Sequence, residues 1–389
     1  MPNKNYFSVK ELRALANLLG DATTHLTDLV EDVNKTIVHQ PFLPKTPVQS
    51  IISGIMGFTF DNIRRVSKLV HKGIDKVFDQ FNQEARLNIS VGKKSSILSA
   101  LNGVVGDYLA LRHNALALPM HFKKTAEPPS DKLLILVHGL CMNDEQWLWQ
   151  GHNHGAALAE QFGMSPVYVH YNTGLHISSN GQQFDQEMQK IIENWAVPIN
   201  EIVIIGHSMG GLVVRSGLHY AQKRAADWQN LVRKICFLGT PHHGAPVERL
   251  GSYVDFVLQS LPFVQPFARL GKIRSAGIED LRFGNITDED WLHFDSRQKL
   301  KDTRQIVKLP PNIAYFAAAA VLGASDCEWK VRILGDSLVQ IESALGQHRE
   351  KEKNLAFAPQ NTRVFYNTNH FELLGSKEVY AQLLEWLQN

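Results

Sequence analysis

Glu201-Ile202-Val203-Ile204-Ile205-Gly206-His207-Ser208-Met209-Gly210-Gly211-Leu212-Val213-Val214-Arg215 is the stretch that decides how this chain folds. Glu201–Ile205 is a short apolar run of strand length, and Leu212–Arg215 opens a helical stretch, so the chain turns sharply between them. A turn that tight forces the serine backbone into a strained conformation and needs small residues beside it. It lifts the hydroxyl above the sheet and aims the amides of the following helix at it. The pattern G-x-S-x-G is weak alone; the strand before it and the helix after it make it specific.

Working outward, further apolar runs alternate with helix-length segments. Leu133–Val137, Pro166–Tyr171, Lys234–Leu238, Asn312–Val321 and Arg363–Tyr366 read as strands beside Glu201–Ile205. Strands that are continuously apolar are buried on both faces, which predicts an α/β fold with a mostly parallel sheet and helices on either side. The alternation lapses over about 245–310. There Tyr253–Leu270 is rich in Val, Leu and Phe, and the reading is a helical lid insertion. Glu127-Pro128-Pro129-Ser130 marks a junction, so residues 1–125 are expected as an N-terminal helical extension and 126–389 as the catalytic domain.

The extension carries two amphipathic patterns. Ser8-Val9-Lys10-Glu11 has the form of a capping box, and apolar residues from Leu12 to Ile37 recur at three- and four-residue steps. A second helix is predicted over 63–81, with Ile63, Val66, Val70, Ile74, Val77 and Phe81 on one side and Arg65, Lys68, Lys72 and Lys76 on another. Such a basic face can make peripheral contact with an anionic membrane, although packing on the protein explains most helices of this kind.

Composition excludes several classes. The chain has 389 residues, 44% hydrophobic and 20% charged, which is ordinary globular usage. A net charge of +2 is no nucleic-acid footprint. Residues 1–130 carry 16 basic and 11 acidic groups, so the balanced total hides a basic front. Three cysteines (Cys141, Cys236 and Cys327) without a CxxC spacing argue against a disulfide framework or a zinc ribbon. The N-terminal residues lack the apolar run of a secretory signal, and no run has the length of a spanning helix, so a cytoplasmic protein is expected.

Two further motifs bring a family into view. Leu136-Val137-His138-Gly139-Leu140 is a strand ending in a His-Gly turn, and Gly239-Thr240-Pro241-His242-His243-Gly244 follows the strand after the serine helix. With Gly206-His207-Ser208-Met209-Gly210 they resemble the α/β-hydrolase superfamily, in particular its lipase-like branch. That resemblance implies a nucleophile elbow of Gly206, His207 and Gly210 around a nucleophilic Ser208. It implies an oxyanion hole from the backbone amides of Met209 and of Leu140 (or Cys141). The family order of serine, acid and histidine implies His370, in the loop between last strand and last helix, as the base. His242, His243 and His348 are the other imidazoles to weigh, with His348 in a charged stretch expected to be a solvated loop.

For the acid, Gly335-Asp336-Ser337-Leu338-Val339 resembles the G-D-G-L-V segment of related lipases, with Ser337 in place of the second glycine. Asp326 is its rival. Glu372 is similar in position to a calcium ligand of some secreted lipases, but no second carboxylate accompanies it, so neither metal nor cofactor is expected. Cys141 reads as a packed thiol, and Tyr171-Asn172-Thr173-Gly174 as a pocket rim or plain loop.

The function these residues imply is a serine esterase or lipase cleaving a small-molecule or lipid ester through a Ser208-Asp336-His370 triad. An acyltransferase would use the same acyl-enzyme. A silent fold that binds a membrane or partner is the alternative from a different class.

Overall fold

The computed structural model describes residues 8, 10, 11, 13, 14, 17, 18, 91–125, 128–246, 250, 275–292, 302–323 and 338–388. In chain order the strands are β1 (His121–Lys124), β2 (Lys132–Val137), β3 (Leu148–Trp149), β4 (His152–Asn153), β5 (Ser165–His170), β6 (Glu201–His207), β7 (Val232–Leu238), β8 (Ala314–Val321) and β9 (Thr362–Tyr366). The helices are α1 (Val91–Leu111), α2 (His154–Phe162), α3 (Ile177–Asn194), α4 (Met209–Lys223), α5 (Ala276–Phe283), α6 (Asp288–Leu292), α7 (Ile341–Ala344) and α8 (Lys377–Gln388).

The main sheet runs β1-β5-β2-β6-β7-β8-β9. Every pairing in it is parallel except that of β1 with β5. Alternate residues of each strand enter different cores, as the two-residue period of a strand requires. Leu133, Ile135 and Val137 join Ile202, Ile204, Phe237 and the faces of α1, α3 and α4. Leu134 and Leu136 join Val203, Ile205, Leu238 and the faces of α2 and α8. Burial on both sides is why the inner strands read as unbroken apolar runs.

The connection after β2 leads to β5 on one side, whereas that after β6 leads to β7 on the other. Neighbouring strands whose connections depart in opposite directions leave a crevice beyond their C-terminal ends, where ligands of open α/β sheets bind. Val137 and Gly206 face each other in register at that point. Residues 138–143 and the serine turn therefore form the two walls of one crevice.

Two boundaries in the sequence reading need revision, that of the sheet and that of the lid. The sheet begins before residue 126, because His121–Lys124 pairs with Val167–His170 as an antiparallel edge strand. A junction placed at Glu127 cuts this strand away from its partner. Helix α1 packs directly on the core of the sheet through Leu101, Val104, Val105 and Leu109. Within the proposed lid, residues 275–292 are built into the body: the Asp280 carboxylate accepts from the Ile177 amide and from His176 (both 2.9 Å), and Ser275 Oγ donates to the Gly103 carbonyl (2.6 Å). Residues 253–270 and the basic helix over 63–81 lie outside the described residues. The capping box is formed, with the Glu11 amide donating to Ser8 Oγ and the Ser8 amide to the Glu11 carboxylate. Among the described residues no helix is long and apolar enough to cross a membrane.

Candidate active site

Ser208 stands between β6 and α4 with φ 53° and ψ −125°, a strained backbone for a residue with a side chain. Its amide donates to the Leu238 carbonyl at the end of β7 (2.8 Å), which anchors the turn to the neighbouring strand. The glycines around it are fixed by space. A Cβ on Gly210 would lie 2.2 Å from the Val137 carbonyl oxygen, and one on Gly206 would lie 2.7 Å from Gly211 Cα. From across the crevice, a Cβ on Gly139 would come within 3.0 Å of Ser208 Cβ. Only glycine lets these walls close so tightly. Met209 is the first residue of α4, and first-turn amides have no acceptor within their own helix.

The opposite wall is held from several directions. At Cys141 the chain takes φ 59°, and its amide donates to Thr173 Oγ1 (3.1 Å). That amide is therefore engaged. Burial pushes the Cys141 thiol up to about 12, so it is a packed thiol and no nucleophile. Tyr171 stacks on His138 and donates its hydroxyl hydrogen to the His138 carbonyl (2.7 Å). Burial, then the nearby His170, lowers His138 to about 3, and its Nδ1 donates to the Gly139 carbonyl (2.9 Å).

Behind this turn lies α1. A Cβ on Gly103 would sit 2.2 Å from Cys141 Sγ, and one on Gly106 would sit 1.9 Å from Asn172 Oδ1. Asn143 Nδ2 donates to Ser95 Oγ of the same helix (2.8 Å). Residues 171–174 are thus a buried bracket, with Asn172 Nδ2 donating to the Gly106 carbonyl (2.9 Å). They were read as a rim or plain loop because a sequence does not show which helix presses on them. The α1 glycines escaped the sequence reading for the same reason.

His370 comes to the serine corner from the far end of the chain. Only 4% of it is exposed, and Ser208 is 3% exposed. The His370 imidazole covers Gly239 (φ 60°), where a Cβ would lie 3.0 Å from its Cε1, one residue beyond the carbonyl that anchors Ser208. His207 Nε2 donates to the His370 carbonyl (3.0 Å), and the two rings lie 4.7 Å apart. Burial, then the proximity of His370, keeps His207 far below the ordinary imidazole range, so it is neutral. The loop is stiffened locally: the Asn369 amide donates to Glu372 Oε2 (2.7 Å), and the Phe371 amide to Asn369 Oδ1 (2.9 Å). The Glu372 carboxylate therefore has a structural occupation at the place where a metal ligand was considered.

His242 and His243 stand elsewhere. His242 packs against Phe237 and Phe357 beside Arg215, and His243 against His348. His348 is half-buried, with Nε2 3.3 Å from Asp302, and is no solvated loop residue. Asp336 and Asp326 both lie outside the described residues. Among those described, Asp302, His348 and Glu350 could approach one metal ion. Asp302 is already ion-paired with Arg304 (2.8 Å) and Lys353 (3.0 Å), and cations so placed oppose another.

Sheet order and crevice together are those of the α/β-hydrolase fold. More narrowly, residues 129–306 match the family described as the PGAP1-like alpha/beta domain. The sequence matches no curated protein. Among solved structures, the mature lipase BlEst2 of Bacillus licheniformis is 17% identical, with 69% of this chain and 98% of that one covered and a TM-score of 0.44. An esterase of Pyrobaculum calidifontis is 14% identical, covering 76% of this chain and 87% of its own, with a TM-score of 0.40. An esterase of Pyrococcus furiosus is 16% identical, covering 69% and 91%, with a TM-score of 0.37.

Proposed function

We propose that this protein hydrolyses carboxylic esters, with lipid-like esters as substrates, through an acyl-serine intermediate on Ser208. The observation that carries the reading is the position of Ser208: strained, walled by glycine, at the crevice between β2 and β6, with His370 on the same strand end. In this reading His370 takes the Ser208 proton as the hydroxyl attacks the ester carbonyl. It then returns that proton to the leaving alcohol. Asp336 orients His370 and stabilises the imidazolium, and water releases the acid in the second half-reaction. The negative charge that develops on the carbonyl oxygen meets the amides of Leu140 and Met209, fixed dipoles in a dry site. The apolar residues of Tyr253–Phe267 support the lipid preference.

Covalent labelling by a fluorophosphonate probe tests the nucleophile. Wild type is expected to label, and Ser208→Ala to lose labelling together with about ten-thousandfold or more of its esterase activity. A folded wild-type chain that does not label would end the enzyme reading. A series of p-nitrophenyl esters from acetate to long acyl chains tests the substrate class, and highest activity on acetate would remove the lipid preference. Running the reaction with an added alcohol separates hydrolysis from acyl transfer by its products.

A further inference from the structure

A second cavity lies away from the serine, and its lining is strongly basic. It has a volume of about 350 Å³ and is bordered by Arg215, Arg304, Lys308, Lys351 and Lys353, with His242 and His243 in its wall. Two carboxylates, Asp290 and Glu352, also line it. Arg215 is on α4, seven residues beyond Ser208, which is about 10 Å further along the helix axis.

Arg215 is the unusual member. It is 6% exposed, yet no carboxylate makes an ion pair with it among the described residues. Its Nε has no hydrogen-bond partner there, and its Nη1 reaches only the His242 carbonyl and Nδ1, at 3.4 and 3.5 Å. Arg304 Nη1 converges on the same carbonyl, also at 3.4 Å. Of the two guanidinium groups only Arg304 has a close partner among the described residues, the Asp302 carboxylate, held through Nε (2.9 Å) and Nη2 (2.8 Å). Asp290 faces Arg215, but its oxygens accept from the amides of Ile286 (2.8 Å), Thr287 (2.9 Å) and Gln305 (2.7 Å). His242 Nε2 and His243 Nε2 are buried without partners among the described residues.

A buried cation without a close anion is costly, and a fold retains one where a ligand supplies the missing charge. The planar guanidinium fork matches phosphate oxygens, and the exposed Lys308 and Lys351 at the rim add charge along the approach. The volume exceeds that of a bare phosphate and is in the range of small-ligand sites. We propose that this cavity binds the phosphate group of a small phosphate ester, in contact with Arg215 and apart from Ser208. The proposal does not depend on the ester reading, because the two sites share no residue.

Isothermal titration of the full chain at fixed ionic strength tests it. The probes are inorganic phosphate, glycerol 3-phosphate and dihexanoyl phosphatidate below its micelle concentration, with sodium chloride as control. One-to-one binding is expected, weakened about tenfold or more in Arg215→Gln. Ser208→Ala should bind as wild type does. Tightest binding of phosphatidate would identify a lipid headgroup as the source, and tightest binding of the glycerol ester a soluble metabolite. Heats no larger than those of chloride, or unchanged affinity in Arg215→Gln, would overturn the proposal. Should Arg215→Gln fail to fold, Lys308→Glu with Lys351→Glu decides on exposed positions. Affinity reduced about threefold or more supports the site, and unchanged affinity overturns it.

Discussion

The two walls of the crevice are built in opposite ways. The serine wall is local: strand, glycines, strained serine and the first turns of the helix all fall within Glu201–Arg215; Gly206 lets β6 and α4 close on each other, and Gly210 sets the fit against β2. The facing wall at 138–144 is held by segments far away in the chain. Gly103 and Ser95 come from α1, Thr173 and Tyr171 from the loop after β5, and Lys123 and His170 reach Asp144 from the adjacent strands β1 and β5. One wall depends on its own sequence and the other on its neighbours. Damage to the first should appear as lost folding, and damage to the second as lost activity in a protein that still folds.

The largest test of this contrast is Gly210→Ala. The new Cβ meets main-chain atoms of Val137 and His138 that cannot swing aside, so a loss of about 3 kcal/mol or more in chemical denaturation is expected. A near-neutral value would mean that the serine wall has slack. Next comes Gly103→Ala, whose Cβ meets Cys141 Sγ and, at 3.1 Å, Cys141 Cα. A shift of that turn by a fraction of an ångström should lower kcat about ten- to a hundredfold while the chain remains folded. Wild-type turnover in this variant would show that the turn at 138–143 does not depend on α1.

The smallest effect is expected at Asp144. Burial alone would raise its carboxyl, but hydrogen bonds from His170 and Lys123, with the Lys123 charge, outweigh this and hold it below the ordinary carboxylate range. A carboxyl depressed on folding contributes stability above its unfolded value near 4, and that contribution fades as pH falls through the folded value. Wild type should therefore exceed Asp144→Asn by about 1–2 kcal/mol at pH 7, with the gap closing below about pH 4. Denaturation curves at both pH values check this, and a gap that widened in acid would contradict the assigned pairing.

The same contrast explains what could be read from the sequence. The parallel strands announced themselves as apolar runs, and the elbow as glycines around a serine, because both are local patterns. The edge strand His121–Lys124 did not, since its side chains are mostly exposed and two are lysines, as suits an edge that must not pair further. The seat of α1 was hidden because Ile97, Ala100, Leu101, Val104, Val105 and Leu109 are buried around much of its circumference, leaving no single stripe to follow. Arg215 looked like one more residue of a helix. Its setting depends on Arg304 and His242, which no local pattern links to it.

Helix α1 has a consequence for how the chain is made. Its Gly103 carbonyl and Asp107 carboxylate wait for Ser275 and Ala276, partners 172 and 169 residues later in the sequence. At the usual pace of about 5–20 residues per second, a ribosome needs roughly 10–30 s to supply them. During that interval the apolar side chains of α1 leave the exit tunnel ahead of the sheet that will cover them. The seat of α1 is thus completed only after α5 has been synthesised, although its contacts with residues 114–172 become available earlier.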